Sequence, residues 1–195
     1  MNSTGPIVTV IRHGATIWSA TGQHTGCTDL ELTSEGEDQA RAVGLLAARY
    51  GPFELVLCSP LRRTRRTAEL AGLEPAEVVE DLREWDYGDL EGLTTDEIRA
   101  DLPGWSIWEG PWPGGETAVA VATRADRVLA RIMAEPPSAR VAVVAHGHIL
   151  RVLAARWIEA DVTEGRRLAL DTATIGRLGW EHGYRVVRSW NAPAT

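Results

Sequence analysis

The 195-residue sequence contains no lysine; all 20 of its basic residues are arginine. That absence rules out Schiff-base chemistry, a phosphate loop ending in lysine, and any other lysine-dependent mechanism. It also lowers the weight of any single arginine, which counts below only where its position adds something. Cysteine is nearly as scarce: Cys27 and Cys58 do not make a disulfide framework, and Cys58 ends an apolar run as a small buried residue would. Excess positive charge is missing too. At a formal net charge of −7 the chain argues against a broad nucleic-acid or acidic-membrane surface, so any anion site must be a local cluster. Residues 1–6 hold no basic stretch leading into an apolar one, and the first apolar run is far too short to span a bilayer. A soluble protein of a reducing, cytoplasmic compartment is the expectation. No repeat, linker or low-complexity tract divides the chain, which predicts a single domain over 1–195.

Periodicity supplies the elements. The β-branched run IVTVI at 7–11 predicts a strand covered on both faces, followed by a Gly-, Thr- and Ser-rich loop to about residue 32. Thr33 or Ser34 can cap a helix, with Glu37 completing a capping box from Ser34, and Ala40, Val43, Ala47 and Tyr50 recur at helical spacing. ELVLC at 54–58 reads as a second buried strand. Ser59 then reads as an N-cap, with Pro60 suited to the first turn of a helix running to about Leu70. A short strand follows at 78–80. The stretch 82–115 reads as irregular, with Trp85, Trp105, Trp108 and Trp112 serving either as packing or as a lid. A stripe from Ala118 to Ile132 predicts a core-facing helix, VAVVA at 141–145 a third buried strand, and 149–157 a helix. Segments 174–180 and 184–189 predict a hairpin through His182 and Gly183. Strands alternating with helices predict an α/β fold with a largely parallel sheet.

Ligands of open α/β sheets bind beyond the carboxyl ends of the strands. Just past the three buried runs stand Arg12-His13-Gly14, Ser59 to Arg63, and His146-Gly147-His148. One rim is thus expected to hold two histidine clusters, two arginines able to grip oxygens in bidentate fashion, and helix starts with free N–H groups: a place for phosphate. His24 and His182 read as structural histidines, and Arg62, Arg65 and Arg66 as solvated helix-face charges.

The segments RHGATIW at 12–18, TGQHTGCTDLELTSEGEDQA at 21–40, CSPLRRTRRTAEL at 58–70, LREWDYGDLEGLT at 82–94, GGET at 114–117 and VVAHGHILR at 143–151 occur in this order. Together they resemble the histidine phosphatase superfamily, which includes the cofactor-dependent phosphoglycerate mutases. The resemblance implies a three-layer α/β/α domain with a mostly parallel central sheet. It implies His13 as the nucleophile, Arg12 and Arg63 as phosphoryl ligands, His146 as a hydrogen-bond partner of the transferring oxygens, and Glu84 as proton donor. Ser19, Thr25, Gly26, Tyr87, Gly147 and His148 are the implied substrate contacts, with a small phosphorylated molecule as partner and neither metal nor cofactor. Ser19 replaces the asparagine usual in the mutases, and Ala15 a glutamate or glutamine.

These roles carry physical requirements. His13 must be neutral with one bare ring nitrogen, so its other N–H is expected to donate to a backbone carbonyl. Glu84 must give a proton to the leaving oxygen and take one from water, which predicts better activity at mildly acidic than at alkaline pH. The mutases of the resembled family carry a longer insertion after the glutamate, with a lysine and an arginine pair, whereas residues 96–115 hold only Arg99 as a basic residue. His148 stands where the mutases have asparagine. Both departures favour a phosphatase, with a mutase, a metal-dependent hydrolase using His13, His146 and His148, and a non-catalytic phosphate-binding module as alternatives. Sugar phosphates, sugar bisphosphates, phosphoglycerate and aryl phosphates all stay open as substrates, and the sequence does not give the oligomeric state.

Overall fold

The Val- and Ile-rich runs form the middle of one six-stranded sheet. In the computed structural model, which describes residues 4–194, β1 (Ile7–Arg12) pairs in parallel with β4 (Arg140–Ala145), and β4 with β2 (Leu55–Cys58). The short β3 (Glu77–Val78) extends the parallel set beyond β2, and β5 (Thr174–Glu181) joins β1 antiparallel and turns back into β6 (Tyr184–Pro193). The order is β3-β2-β4-β1-β5-β6, mostly parallel, with the hairpin on one edge. Residues 1–3 and 195, the ends of the expected domain, lie outside the described residues.

Side-chain alternation along the strands sorts the helices into two layers. Val8, Val10, Val141 and Val143 pack with Val121, Ala125 and Leu129 of α5 (Ala118–Met133) and Ile149 and Leu153 of α6 (Gly147–Trp157). Ile11 and Val144 point the other way, to Val43 and Ala47 of α2 (Ser34–Ala47) and Ala68 of α3 (Arg62–Leu70). The sheet is therefore covered on both faces, which is why its central strands read as unbroken apolar runs. Among the described residues, no helix is long and apolar enough to cross a membrane.

Several local expectations are corrected. Thr33 caps α2, accepting from Gly36 N at 3.0 Å, and Glu37 turns to Arg41 and Arg66 instead of closing a box with Ser34. Ser59 does not cap α3: Leu61 stands at that place with no side-chain cap, and the serine hydroxyl is engaged elsewhere. The strand expected at 78–80 is the two-residue Glu77–Val78, and Glu80–Leu82 coils into a 3-10 turn. The 82–115 stretch is less irregular than its composition suggests, since it contains α4 (Thr95–Asp101), closed by a Thr94–Glu97 capping box. A one-turn helix, α1 (Ile17–Thr21), likewise interrupts the first loop. The tryptophans are packing and not a lid. Trp85, Trp105 and Trp108 are buried, Trp85 and Trp108 meet edge-to-face at 5.6 Å, and the indole N–H groups of Trp85, Trp105 and Trp112 donate to backbone carbonyls.

Candidate active site

The carboxyl ends of β1 and β4 bring His13 and His146 to the same rim, with ring centroids 5.2 Å apart. His13 leaves β1 through Gly14, and the N-terminus of α2 comes so close that a Cβ on Gly14 would lie 2.1 Å from Gly36 O. No other residue fits there. The contact holds the Gly14 backbone in place, and Gly14 O accepts from His13 Nδ1 at 2.7 Å. A carbonyl can only accept, so Nδ1 carries the proton and the lone pair of the neutral ring is on Nε2. Burial, then Arg63 and Arg12, hold the His13 pKa well below the ordinary histidine value, so the ring is uncharged at neutral pH.

Arg12 packs across Gly147: a Cβ there would approach its guanidinium carbon to 3.3 Å. One N–H of Arg12 donates to Leu170 O at 2.5 Å, while its buried Nε has no partner among the described residues. A buried, unpaired guanidinium N–H is costly unless an anion meets it. Arg63 is committed differently. Nε donates to His146 Nδ1 at 3.0 Å, and the terminal nitrogens donate to Thr28 O at 2.8 Å, Thr25 O at 3.2 Å and Gly26 O at 3.0 Å. Of its five N–H bonds one remains, enough for a single contact with a phosphoryl oxygen and not for the bidentate grip expected from sequence.

Glu84 is 6% exposed and accepts three backbone N–H groups. Oε1 takes Trp85 N and Ile149 N, and Oε2 takes His148 N, each at 2.9 Å. Two of these are free N–H groups at the start of α6, the favoured end of the helix for a carboxylate. Of the four acceptor positions of a carboxylate, one on Oε2 is left to carry a proton. Behind Glu84 stands a clamp that the sequence reading did not find. Arg124 of α5 ion-pairs Glu116 through 3.0 and 2.9 Å contacts and donates to the carbonyls of Asp81, Arg83 and Glu84, while Glu116 accepts Asp86 N at 3.0 Å. The GGET segment is thus the rear support of the proton donor.

His13, Arg12 and Glu84 face a cavity of about 170 Å³. Ser19, Thr25, Tyr87, Gly147 and His148, five of the six expected substrate contacts, line it; Gly26 does not, lying behind with its N–H on Glu91 and its C=O on Arg63. His146 and Arg63 are fully buried beneath the cavity floor. Tyr87 Oη and His148 Nδ1 share a hydrogen bond of 2.6 Å, and burial raises the tyrosine pKa well above its usual value. Five lining residues were not expected: Gly22, Gln23, His24, Arg151 and Leu170. His24, read as structural, stacks on Tyr87 at 4.7 Å and has a pKa lowered by burial to about 4. Arg151 stands one turn beyond Gly147 on α6, a spacing that could have revealed it. His182, by contrast, lies in the β5–β6 turn, away from the site.

The three histidines of the metal alternative send their nitrogens to separate protein partners: Gly14 O, the Ser59 and Arg63 side chains, and Tyr87 Oη. Among the described residues, the possible ligand atoms that gather within 4.8 Å belong to Cys27, Asp86 and Glu91, and Glu91 is already taken by three N–H groups.

Comparison with known proteins places the chain among phosphatases of known sequence and structure. A family model described as histidine phosphatase superfamily (branch 1) matches residues 8–193. An acid phosphatase of Mycobacterium tuberculosis is 46% identical over 180 residues, covering 90% of this chain and 87% of its own. A sedoheptulose 1,7-bisphosphatase of Saccharomyces cerevisiae is 36% identical over 194 residues, covering 83% and 71%. A solved structure of a Mycobacterium tuberculosis open reading frame product superposes with a TM-score of 0.92 at 42% identity, over 97% of this chain and 98% of that one.

Proposed function

The chain belongs to the histidine phosphatase superfamily and is a phosphatase, and on that premise we propose which residues carry its reaction. His13 Nε2 attacks the phosphorus of a small phosphomonoester, the P–O bond to the leaving group breaks, and Glu84 gives its proton to the departing oxygen. Water then attacks the phosphohistidine, Glu84 takes the water's proton, the P–N bond breaks and inorganic phosphate leaves. Arg12, through its unpaired Nε, and the last N–H of Arg63 meet the charge on the transferring oxygens, with His146 behind them. The observation that carries this reading is the His13–Gly14 contact, which leaves Nε2 bare on a neutral ring at the mouth of an arginine-lined cavity.

Ser19, Thr25, Tyr87 and His148 contact the leaving group in this reading, with Gly147 making room for Arg12 and Gly26 holding the loop. Arg151 on the same wall favours leaving groups that bear a further anionic or polar group, such as sugar phosphates. A relative acting as a sedoheptulose 1,7-bisphosphatase supports that class. The chain works as one domain, in the cytoplasm, on a small molecule and without a nucleic-acid partner, in keeping with its acidic net charge and its free cysteines.

The decisive experiment is turnover of p-nitrophenyl phosphate and a panel of phosphorylated metabolites by the wild-type protein and His13→Ala, with acid-labile phosphate trapped on residue 13. Phosphate release that survives His13→Ala would overturn the reading. Interconversion of 3- and 2-phosphoglycerate outpacing phosphate release would replace it with a mutase.

A further inference from the structure

Ser59 has no part in the reaction above, yet it is fully buried and its Oγ lies 2.7 Å from His146 Nε2. Across the ring, Arg63 Nε is 3.0 Å from His146 Nδ1. A guanidinium Nε–H can only donate, so Nδ1 is the bare nitrogen. Burial and the charge of Arg63 keep the ring neutral. Its single proton is therefore on Nε2, and Ser59 Oγ accepts it.

Both partners are themselves fixed. Ser59 follows β2 directly, its N–H donating to Val144 O at 3.0 Å and its C=O accepting from Thr64 Oγ1 at 2.9 Å. Arg63 is held by the three loop carbonyls. The imidazole is thus suspended between two rigid groups, edge-on to the His13 ring at an interplanar angle of 64°.

We propose that Ser59 is a positioning residue for phosphoryl transfer: by accepting the Nε2–H it selects the His146 tautomer that keeps Arg63 paired, and so fixes both groups against His13. The proposal rests on the reaction at His13 given above. Without the hydroxyl, the Nε2–H is buried with no acceptor. Its proton can then move to Nδ1, where it meets the Arg63 N–H donor to donor, and ring and guanidinium separate. Because the remaining Arg63 N–H acts on charge that develops in the transition state, and His146 holds Arg63 there, the loss falls on kcat and spares KM.

Ser59→Ala is expected to lower kcat roughly 10- to 100-fold, the scale of a small misplacement of catalytic groups, with KM changed less than about twofold. Ser59→Thr, which keeps the oxygen, should recover most of the rate. Nitrogen-15 NMR of the histidine-labelled wild-type protein should show His146 protonated at Nε2, and in Ser59→Ala that signal should shift or vanish. In a His146→Gln background, Ser59→Ala should cost almost nothing further. An unchanged kcat in Ser59→Ala, or the same loss with and without His146, would overturn the proposal. Should Ser59→Ala fold poorly, the wild-type spectrum decides by itself: a proton on Nδ1 refutes the assignment. Trapped phosphate on His13 is measured separately, so failure here leaves the phosphohistidine reading standing.

Discussion

Arg63 and Glu91 hold the same loop from opposite sides. Arg63 donates to the carbonyls of Thr25, Gly26 and Thr28, while the Glu91 carboxylate accepts the N–H groups of Gly26, Cys27 and Thr28 at 3.1, 3.1 and 2.7 Å. The peptide groups of 25–28 are thus polarised between a buried cation and an anion, and charge-assisted hydrogen bonds of this kind are the strong ones. The pairing fixes Thr25 at the cavity wall and holds the Arg63 guanidinium at its place beneath His13.

Removing the anion should therefore be felt at the active site. Glu91→Ala is expected to lose roughly 1–3 kcal/mol of stability and about tenfold in kcat/KM. Glu91→Gln should be milder, because the Gly26 and Thr28 contacts share one oxygen that an amide can reproduce. Thermal melts and steady-state kinetics check both. Equal losses for the two variants would mean that the charge, and not the hydrogen-bond geometry, holds the loop.

Glu84 gives a second prediction, with an unusual control. A glutamine has one acceptor oxygen and would turn its NH2 toward a backbone N–H, donor against donor, at one of the three sites now filled by the carboxylate. Glu84→Gln should thus be destabilised by roughly 1–3 kcal/mol as well as slow. In the transfer of the phosphoryl group to His13, followed as the pre-steady-state burst, the loss is expected to reach roughly 100- to 10,000-fold for alkyl phosphates and to be much smaller for p-nitrophenyl phosphate, whose leaving group needs no proton. The ratio of the two losses, measured on one preparation, separates proton donation from misfolding.

Acid should weaken the fold through the histidines. His13, His146 and His148 are held neutral, each mainly by burial, with pKa values well below the ordinary one, and His24 is lowered to about 4. Below about pH 6.5 the unfolded chain takes up protons at these four positions and the folded chain does not. The unfolded state then binds more protons, so stability is complete above pH 6.5 and falls as the pH drops toward 4, by up to about 1.4 kcal/mol per unit for each histidine. Urea unfolding at a series of pH values tests this. His24→Gln should flatten the slope between pH 6 and 4.5, and a variant as steep as wild type would contradict it.

How much of this was readable from sequence depends on the range of the signal. The central strands were legible because burial on both faces leaves an unbroken Val/Ile run, and His13 and His146 because they end such runs. The α4 helix was hidden by the glycines and prolines that follow it, although its Thr94–Glu97 box stood in the sequence. The residues that hold the site in place were illegible for another reason. Arg124 lies within an Ala/Val stripe that reads as core, and its partner Glu116 and the carbonyls of Asp81 to Glu84 join it only across the fold. Ser59 looked like a helix cap because Ser-Pro has that local meaning, and only the tertiary structure shows its hydroxyl turned to His146.

Arg151 is the residue through which the leaving group can be distinguished. Its Nε and one terminal nitrogen donate to the carbonyls of Gly165 and Arg166, each at 3.0 Å, and its guanidinium carbon sits 4.8 Å from the Trp108 ring centre. Those contacts fix its plane; among the described residues its other terminal nitrogen has no protein acceptor, and Arg151 lines the cavity together with His148. An anion on the leaving group would meet a preformed donor there, while an aryl group has nothing to offer it. Arg151→Met keeps the packing on Trp108 and removes the charge. It is expected to raise KM about tenfold for a substrate bearing a second phosphate or a carboxylate, the equivalent of about 1.4 kcal/mol. KM for p-nitrophenyl phosphate should stay within about twofold, since that substrate makes no use of the lost charge. An equal rise for both substrates would show that Arg151 acts on the phosphoryl site itself, and would remove the case for an anionic leaving group.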